Sequence, residues 1–350
     1  MATLAAVPTA QTDVIGADMP TALLDPPVTI ATRRQFLTGL AAAGLLTACS
    51  SPAEVATQSR SVPYVGPFGP TDIPLQPQRV ITMYATDTDF ALVLGLPLVG
   101  ASTGQATALA FPSYQVDRLD GVTPLITFPE PNYEAIAALQ PDLLFHGAGY
   151  YSPEQGEPLS VIAPVYAFPE DLAAETRFRP LLAQAAALFE RDDVAAAFVA
   201  AHDERAAALR DRIQTRWGGA TIAYIGPLDP GVFYVAQANM QTNLTLHEDL
   251  GMPHASIVPA TVDERRTDIS YEEMGLLNDV DVLLLRTNPR AGTMEPDKEQ
   301  TAQIASSPLW ASLPAVVAGA VFEIPGDLFY TSPLTAAANL DWAEQNLLKG

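Results

Sequence analysis

The sequence predicts an α/β protein made of two Rossmann-like lobes, whose mainly parallel sheets are joined by one long α-helix. Short apolar runs alternate with longer helical stretches in both halves of the chain, which is the rhythm of the βαβ units that build parallel sheets. Residues 192–216 contain neither glycine nor proline and carry apolar side chains at helical spacing, so they predict one helix between the halves. A hydrophobic fraction of 48% over 350 residues is sufficient for the cores of two lobes.

The first 49 residues have the order of an export signal. Arg33 and Arg34 precede an uncharged run at 38–48, and this run ends at Cys49, which is the one cysteine in the chain. An apolar run of about a dozen residues is too short for a transmembrane helix, which needs roughly 20 residues. We therefore expect residues 1–49 to be a cleaved signal peptide rather than a membrane span.

The residues around Cys49 predict attachment of a lipid. Leu46-Thr47-Ala48-Cys49 resembles a lipobox, and the paired arginines before it resemble a Tat signal. The alternative is an ordinary signal that contains a cysteine by chance. In either case a single cysteine excludes an intramolecular disulfide. We expect an exported protein held by a lipid anchor in the cell membrane, at its extracytoplasmic face or in the periplasm.

Residues 50–78 are predicted to be a flexible tether between the anchor and the folded domain. They are rich in serine, proline, glycine and threonine, and they show no apolar period. The folded part is then expected to begin near Arg79, where the first apolar run starts.

The rest of the chain divides into two lobes, a connecting helix and a terminal helix. The boundaries are an N-terminal lobe at 79–190, a connecting helix at 191–217, a C-terminal lobe at 218–330 and a C-terminal helix at 331–350. Both lobes contain apolar runs that predict strands. In chain order these runs occupy 80–84, 98–101, 143–146, 161–166, 221–225, 282–286 and 321–324. We expect the C-terminal helix to pack across one lobe.

The charge of the chain is strongly negative. The whole sequence carries 18 basic and 40 acidic residues, and removal of residues 1–49 leaves 16 basic against 37 acidic residues, a net charge of −21. Such a field repels nucleic acid, and no stripe of basic residues interrupts it. Nucleic acid is therefore excluded as a partner.

Four segments, taken in order, resemble one family of proteins. The first joins PQRVI at 77–81 to LGLPLVG at 94–100, and the second is PNYEAIAALQPDLL at 131–144. The third joins ISYEEM at 269–274 to DVDVL at 279–283, and the fourth joins PLWASLPAV at 308–316 to GAVF at 319–322. Together they resemble the periplasmic-binding fold of the ferric-siderophore, haem and cobalamin receptors, which are binding proteins of ABC importers with one rigid helix between their lobes. The resemblance covers nearly all of residues 76–348.

The resemblance implies an extracytoplasmic lipoprotein that binds an iron(III)–siderophore chelate and delivers it to an ABC permease with its ATPase. In the family, one acidic residue on each lobe contacts arginines of the permease, and these positions fall on Glu134 and Glu272. Both glutamates also suit the first turn of a helix, where the helix dipole stabilises a carboxylate. The resemblance further implies a monomer whose lobes close by a small rocking motion, with no resident cofactor and no metal site of its own.

The loops that follow the strands carry the candidate ligand contacts, because ligands of open α/β sheets bind beyond the carboxyl ends of the strands. Aromatic rings would meet the organic shell of a chelate, and arginines its oxygens. The alternatives are ordinary packing for the rings and a solvated charge for the arginines. The candidates are Tyr84, Phe111, Tyr114, Phe128, His146, Tyr150, Tyr151, Tyr234, Asn239, Arg286, Arg290 and Tyr330, with Asp87, Glu130, Phe233 and Phe329 on the same loops. The acidic surface favours a neutral or cationic chelate, such as a hydroxamate.

Three other functions stay open beside this one. The same fold could hold haem or cobalamin, with His146 or one of the tyrosines that follow it as an axial ligand. A site for free Zn²⁺ or Mn²⁺ needs three or four converging ligands. The histidines available for it are His146, His202, His247 and His254. An enzyme is the least favoured class, because the chain has no Gly-x-Ser-x-Gly elbow, no P-loop and no Gly-x-Gly-x-x-Gly fingerprint.

Overall fold

The structure, a computed structural model, describes residues 60–103, 111–127, 130–147, 153–169, 177–260, 266–287 and 298–349. All of them belong to one unit, Thr57–Gly350. The predicted signal peptide and Cys49 lie outside the described residues. Within these ranges, no helix is both long enough and apolar enough to span a bilayer.

Residues 61–74 form a hairpin, so the prediction of a flexible tether is wrong for this stretch. Strands β1 (Ser61–Gly66) and β2 (Gly69–Pro74) pair antiparallel. Their turn uses Gly69 at a φ of 93°, a conformation that glycine adopts without steric penalty. Ile73 is fully buried, and the hydroxyl of Tyr64 donates a hydrogen bond to the carbonyl of Ala167. The prolines of this segment suggest a loop in the sequence, but proline is also tolerated in edge strands.

The first half of the chain builds a five-stranded parallel sheet. Its strands are β3 (Val80–Thr82), β4 (Leu98–Ser102), β5 (Thr123–Leu125), β6 (Leu143–Phe145) and β7 (Val165–Tyr166), in the order β5-β4-β3-β6-β7. The helices of this half are α1 (Ala85–Val93), α2 (Tyr133–Ala138), α3 (Pro153–Ile162) and α4 (Phe178–Leu188). The central strands β3 and β6 are fully buried, as expected of parallel strands with both faces covered. The strand predicted at 161–166 is shorter than expected, because its first residues end α3.

Helix α5 (Asp192–Trp217) has 26 residues and confirms the predicted long helix. Two acidic residues in its first turn suit the helix dipole, and no glycine or proline interrupts it. Ala195 packs into the core of the first sheet, whereas Leu209 and Ile213 pack into a core of the second sheet. The helix therefore joins the two sheets through its own buried side chains.

The second half of the chain builds a five-stranded mixed sheet. Its strands are β8 (Ile222–Asp229), β9 (Val232–Ala236), β10 (Arg266–Ser270), β11 (Val282–Thr287) and β12 (Val321–Pro325), in the order β10-β9-β8-β11-β12. Strands β8, β11 and β12 are parallel, and β9 and β10 add an antiparallel edge. The sequence did not predict β9 and β10, because a tight turn at Gly231 joins β8 directly to β9 where a βαβ unit would place a helix. The two sheets and α5 confirm the α/β fold class.

Four further α-helices lie in the described part of the second half of the chain, and the last of them is the C-terminal helix. They are α6 (Gln241–Leu244), which continues into a π-turn at Thr245–Asp249, then α7 (Lys298–Ala305), α8 (Pro314–Val317) and α9 (Pro333–Leu347). The expectation that the C-terminal helix packs across one lobe is wrong. Leu334 packs into the core of the first sheet, and Leu340 and Trp342 pack into a core of the second. Helix α9 thus connects the two halves beside α5, and Arg212 of α5 pairs with Glu344 of α9 at 2.5 Å.

Candidate functional site

The loops at the carboxyl ends of the two sheets meet each other. The loop after β4 brings Ser113 to the loop after β12, where the N–H and hydroxyl of Ser113 donate to Asp327 at 2.9 and 2.8 Å. The next residue, Tyr114, packs against the cores of both sheets. The carboxyl ends of the parallel strands therefore border one region, which is where ligands of open α/β sheets bind.

A cation and three aromatic rings lie together at the end of the second sheet. Arg286, near the end of β11, donates a hydrogen bond from Nη1 to the hydroxyl of Tyr234 at 2.9 Å. Its guanidinium carbon lies 4.7 Å from the centroid of the Phe329 ring, which lies 4.2 Å from the centroid of the Tyr330 ring. The structure thus brings together three of the predicted ligand residues, Tyr234, Arg286 and Tyr330. Together with Phe329, these residues are called the Arg286 cluster.

Local sequence explains how the Arg286 cluster is formed. Arg286 is partly exposed near the carboxyl end of β11, whereas Leu284, two residues earlier on the same face of the strand, is buried. Tyr234 of β9 pairs with Gly226 of β8, and a side chain at Gly226 would overlap the Tyr234 ring. Glycine at that position therefore gives the ring its place beside the arginine.

The Arg286 cluster has unused hydrogen-bonding capacity. The Nε of Arg286 is buried and has no hydrogen-bond partner among the described residues. The same is true of the side-chain oxygens of Gln237 and Asn239, which lie between β9 and α6. Buried polar groups in native proteins are usually satisfied, so these atoms suit contacts to a polar ligand or to water. Asn239 is a further residue that the sequence singled out.

The tyrosines predicted on the first sheet are more packed than expected. Tyr84 precedes α1 and is 9% exposed. Tyr114 is partly buried between the two cores, and its hydroxyl lies 2.9 Å from the hydroxyl oxygen of Thr335. Burial raises the pKa of Tyr114 well above its ordinary value. Phe111 is half-buried and lies in the same loop. These residues border the strand ends, but most of the surface of Tyr84 and Tyr114 is buried by packing against other residues.

His146 follows β6 directly, as predicted, and is 3% exposed. Burial lowers its pKa to about 4, so the imidazole is neutral at physiological pH. The ring of Phe68, from the β1–β2 turn, lies 5.7 Å from the His146 ring. A side chain at Gly156 of α3 would overlap the Phe68 ring, so this glycine makes room for it. Phe68 was missed because its segment was interpreted as a tether; only the alternation of β1 and β2 could have indicated it.

Of five other candidate ligand residues, one is buried in a core and four lie outside the described residues. Phe233 is fully buried in a core of the second sheet, so its expected place on a ligand-contacting loop is wrong; it points to the opposite face of β9 from Tyr234. Phe128, Tyr150, Tyr151 and Arg290 lie outside the described residues.

The two glutamates predicted to contact a permease are both exposed and both near helix starts. Glu134 lies in the first turn of α2, whose N-cap Asn132 accepts a hydrogen bond from the N–H of Ala135 at 3.0 Å. Glu272 lies in the first turn of a 3₁₀ helix, Tyr271–Leu277. Its neighbour Glu273 is occupied in a capping box with Ser270. Of the two adjacent glutamates, Glu272 is therefore the one whose carboxylate is not used by the cap.

The histidines lie in three separate places. His247 and His254 stack with ring centroids 4.4 Å apart, but His254 bridges to Ile222, at the opposite end of β8 from the Arg286 cluster. His202 is buried in α5 and lies 3.1 Å from Asp249. In the part of the chain that the structure describes, no three histidine, cysteine, aspartate or glutamate side chains are arranged to hold a metal ion.

Two α/β sheets with facing strand ends, joined by a long helix, define a two-lobed solute-binding protein. Residues 80–328 match the family model described as "Periplasmic binding protein". The chain belongs to this family, and it is a binding protein and not an enzyme. The resemblance found in the sequence is confirmed.

Several relatives support the same fold and class. The chain is 26% identical over 324 residues to the "Probable siderophore-binding lipoprotein YfiY" of Bacillus subtilis, covering 89% of this chain and 96% of that protein. A siderophore periplasmic binding protein from the fuscachelin gene cluster of Thermobifida fusca is 25% identical, with a TM-score of 0.58 over 77% of this chain and 96% of that one. A binding component of a ferrichrome ABC transporter from Bacillus subtilis is 22% identical, with a TM-score of 0.66 over 82% of this chain and 100% of that one.

Proposed function

We propose that this chain is an extracytoplasmic lipoprotein that binds an iron(III)–siderophore chelate and delivers it to an ABC importer. The observation that carries the proposal is the Arg286 cluster at the strand ends of the second sheet. The names of the relatives from Bacillus subtilis and Thermobifida fusca, which refer to siderophores, support the choice of ligand.

The chemistry of the Arg286 cluster suits a large organic chelate. The rings of Phe329 and Tyr330 offer flat, rigid area to the organic shell of such a ligand. Tyr234 and Phe329 hold the guanidinium of Arg286 in one orientation, which reduces the entropy lost when it binds an oxygen of the chelate. The unsatisfied amide oxygens of Gln237 and Asn239, in the segment after β9, would add polar contacts.

The charge of the protein favours a neutral or cationic chelate over an anionic one. The predicted mature chain carries a net charge of −21, which repels anions at a distance. Near the cluster, a second cation, Arg266, lies 5.7 Å from the Tyr234 ring but already pairs with Asp268 at 2.7 Å. A ferric hydroxamate would therefore bind with less repulsion than a ferric carboxylate or catecholate.

Three residues outside the Arg286 cluster would connect the protein to the membrane and to the transporter. Cys49 would carry the lipid anchor, and Glu134 and Glu272 would contact arginines of the permease. Both glutamates are exposed near helix starts, so neither would lose a buried partner on docking. We expect a monomer that docks on its permease through these two carboxylates, and the permease works together with its ATPase.

Tryptophan fluorescence of residues 50–350 tests the function directly. The protein is titrated with a ferric hydroxamate, a ferric catecholate, haem, cobalamin, Zn²⁺ and Mn²⁺. Saturable quenching by one ferric chelate, at micromolar affinity or tighter, is expected. Arg286→Ala should weaken that binding strongly for an anionic chelate and slightly for a neutral one, whereas Arg212→Ala, which removes an exposed arginine on α5, should leave both unchanged. Binding of haem or cobalamin alone would replace the proposed ligand, and a response to free metal or to no compound would overturn the proposal.

A further inference from the structure

A buried carboxylate on α1 lies between the two halves of the molecule. Asp89 is fully buried. Its Oδ1 accepts a hydrogen bond from Nε2 of Gln115 at 2.5 Å. Its Oδ2 accepts from the hydroxyl of Ser332, and from the N–H and hydroxyl of Thr335, both at 3.2 Å. One side chain of the first half therefore binds residues on two other segments.

Both of these segments carry candidate ligand contacts. Gln115 lies in the loop after β4, four residues from Phe111 and next to Tyr114. Ser332 follows Phe329 and Tyr330 of the Arg286 cluster by two or three residues. The same two segments are joined to each other nearby, through Ser113 and Asp327 at 2.8 Å. Asp89 is therefore placed to fix the position of both loops at once.

Asp89 also replaces the cap of helix α9. Ser332 is the N-cap residue of α9, but its side chain makes no cap hydrogen bond to the helix. The N–H of Thr335, which such a cap would satisfy, donates to Asp89 instead. A carboxylate at this position satisfies an orphan N–H and interacts favourably with the helix dipole. The first turn of α9 is thus anchored to α1 of the first half.

The other aspartate of α1 has a parallel arrangement. Asp87 is also fully buried, and its Oδ1 accepts a hydrogen bond from the N–H of Gly147 at 3.0 Å. Gly147 follows His146 at the end of β6. Helix α1 therefore contacts, through its two aspartates, the loops after β4, β6 and β12.

We propose that Asp89 is a positioning residue of the ligand site: it holds the loop after β4 and the segment 326–335 in the geometry that ligand binding requires, without touching the ligand. The part that concerns ligand affinity rests on the proposed function. The part that concerns the two loops does not, and it is tested separately.

Hydrogen–deuterium exchange of the purified ligand-free protein tests the positioning. Asp89→Asn keeps the volume of the side chain but cannot accept all four hydrogen bonds. Amide exchange in peptides covering 111–119 and 326–340 should become at least about ten-fold faster, while β11 stays unchanged. The matched control is Asp249→Asn, a buried carboxylate that binds Arg179 at 3.0 Å and His202 at 3.1 Å, away from the strand ends. No change at 111–119 and 326–340, or an equal change with Asp249→Asn, would overturn the proposal.

Affinity for ferric desferrioxamine, a hydroxamate chelate, provides the second measurement. Asp89→Asn should weaken binding about ten-fold, and Asp249→Asn less than about two-fold. Faster exchange with unchanged affinity would reduce Asp89 to a structural role and contradict the proposal. If the unmodified protein binds no chelate, the proposed function fails, but the exchange result still decides whether Asp89 holds the loops. Should Asp89→Asn not fold, Ser332→Ala with Thr335→Val removes two donors and leaves the carboxylate in place.

A pH profile separates positioning from general stability. Burial raises the pKa of Asp89 to about 7, although its hydrogen bonds lower it. The titratable groups around it are Tyr114 on the loop after β4 and Asp87 on α1 itself. Asp327 and Tyr330, on the segment after β12, lie on the other side of the Tyr114 ring. Protonation removes acceptor capacity, so the affinity of the unmodified protein for ferric desferrioxamine should fall as the pH drops through about 7, and the affinity of Asp89→Asn should not. A profile of equal shape in both proteins would count against the proposal.

Discussion

The two sides of the candidate site differ in how their residues are used. On the second sheet, Arg286, Tyr234 and Tyr330 remain partly exposed, and Arg286 retains a buried Nε that no described residue satisfies. On the first sheet, His146 and Tyr84 are buried. The second side offers side chains to a ligand, whereas much of the first side supports the loops that border it.

A position at a strand end therefore does not by itself define a ligand contact. His146 and Arg286 occupy equivalent places. Each lies at the carboxyl end of the fourth strand of its sheet, which is β6 in the first sheet and β11 in the second. His146 is covered by Phe68, which the N-terminal hairpin supplies. Arg286 is flanked by Phe329 and Tyr234 but keeps part of its surface accessible. The neighbours, and not the strand end, decide the role.

Replacement of Arg286 by alanine should have the largest effect on binding. A ferric chelate that carries carboxylates should lose at least about 30-fold in affinity, equivalent to about 2 kcal/mol, because it loses a charge-assisted contact. A neutral ferric hydroxamate should lose less than about three-fold. Calorimetric titration of both chelates checks the difference. Equal affinities with and without the arginine, for both ligands, would remove Arg286 from the site.

A side chain at Gly156 should disturb the first side of the site. Glycine to alanine inside a helix is normally stabilising by about 0.5–1 kcal/mol. Here the added methyl group would overlap the ring of Phe68, so Gly156→Ala should instead destabilise by about 1–3 kcal/mol. Thermal unfolding measures the sign. The double variant with Phe68→Ala should recover part of the loss, and a stabilised Gly156→Ala would show that Phe68 does not occupy this place.

The fold could be predicted from the sequence where one local pattern dominates. The run without glycine or proline correctly predicts α5, and the apolar runs correctly predict the central parallel strands. The N-terminal hairpin was missed because its strands contain proline, and β9 was missed because it begins at a tight turn instead of following a helix. The contact of α9 with both cores could not be predicted, because its apolar residues do not specify which core each one enters.

The candidate site was predictable on the second sheet and less so elsewhere. Tyr234, Arg286 and Tyr330 follow from the rule that ligands bind at strand ends. Asp89 could not be found in this way, because its partner Ser332 lies 243 residues away in sequence and the interaction depends on the folded arrangement of α1 and α9. Phe68 was hidden for a similar reason, since its contact with His146 joins the hairpin to the end of β6.

The buried carboxylate of Asp89 should make stability depend on pH in a direction opposite to that of most aspartates. Its pKa is raised by burial from an ordinary 3.8 to about 7 in the folded protein. A raised pKa contributes stability that is present below pH 4 and is lost as the pH rises through 7. The free energy of unfolding of the unmodified protein, relative to Asp89→Asn, should therefore fall with rising pH across this window, by up to about 1 kcal/mol per pH unit.

The pH experiment needs the difference between two proteins because other groups oppose Asp89. Burial lowers the pKa of His146 to about 4 and, together with the neighbouring His247, that of His254 to about 4. These histidines contribute stability above pH 6.5 that is lost as the pH falls toward 4. They act equally in both proteins, so denaturant unfolding at several pH values isolates Asp89. A flat difference between the two proteins would show that its pKa is not raised.

Removal of one hydroxyl on each side of the site should separate the two roles, with the smallest expected effects. Tyr114→Phe removes a group that contacts Thr335 between the two halves, so it should lower the free energy of unfolding by about 1 kcal/mol. Tyr234→Phe removes the acceptor that orients Arg286 at a partly exposed site. It should leave stability nearly unchanged and weaken binding of a ferric chelate that carries carboxylates by roughly five-fold, about 1 kcal/mol. Unfolding and titration of both variants give four values, and the comparison fails if Tyr234→Phe destabilises the fold while Tyr114→Phe does not.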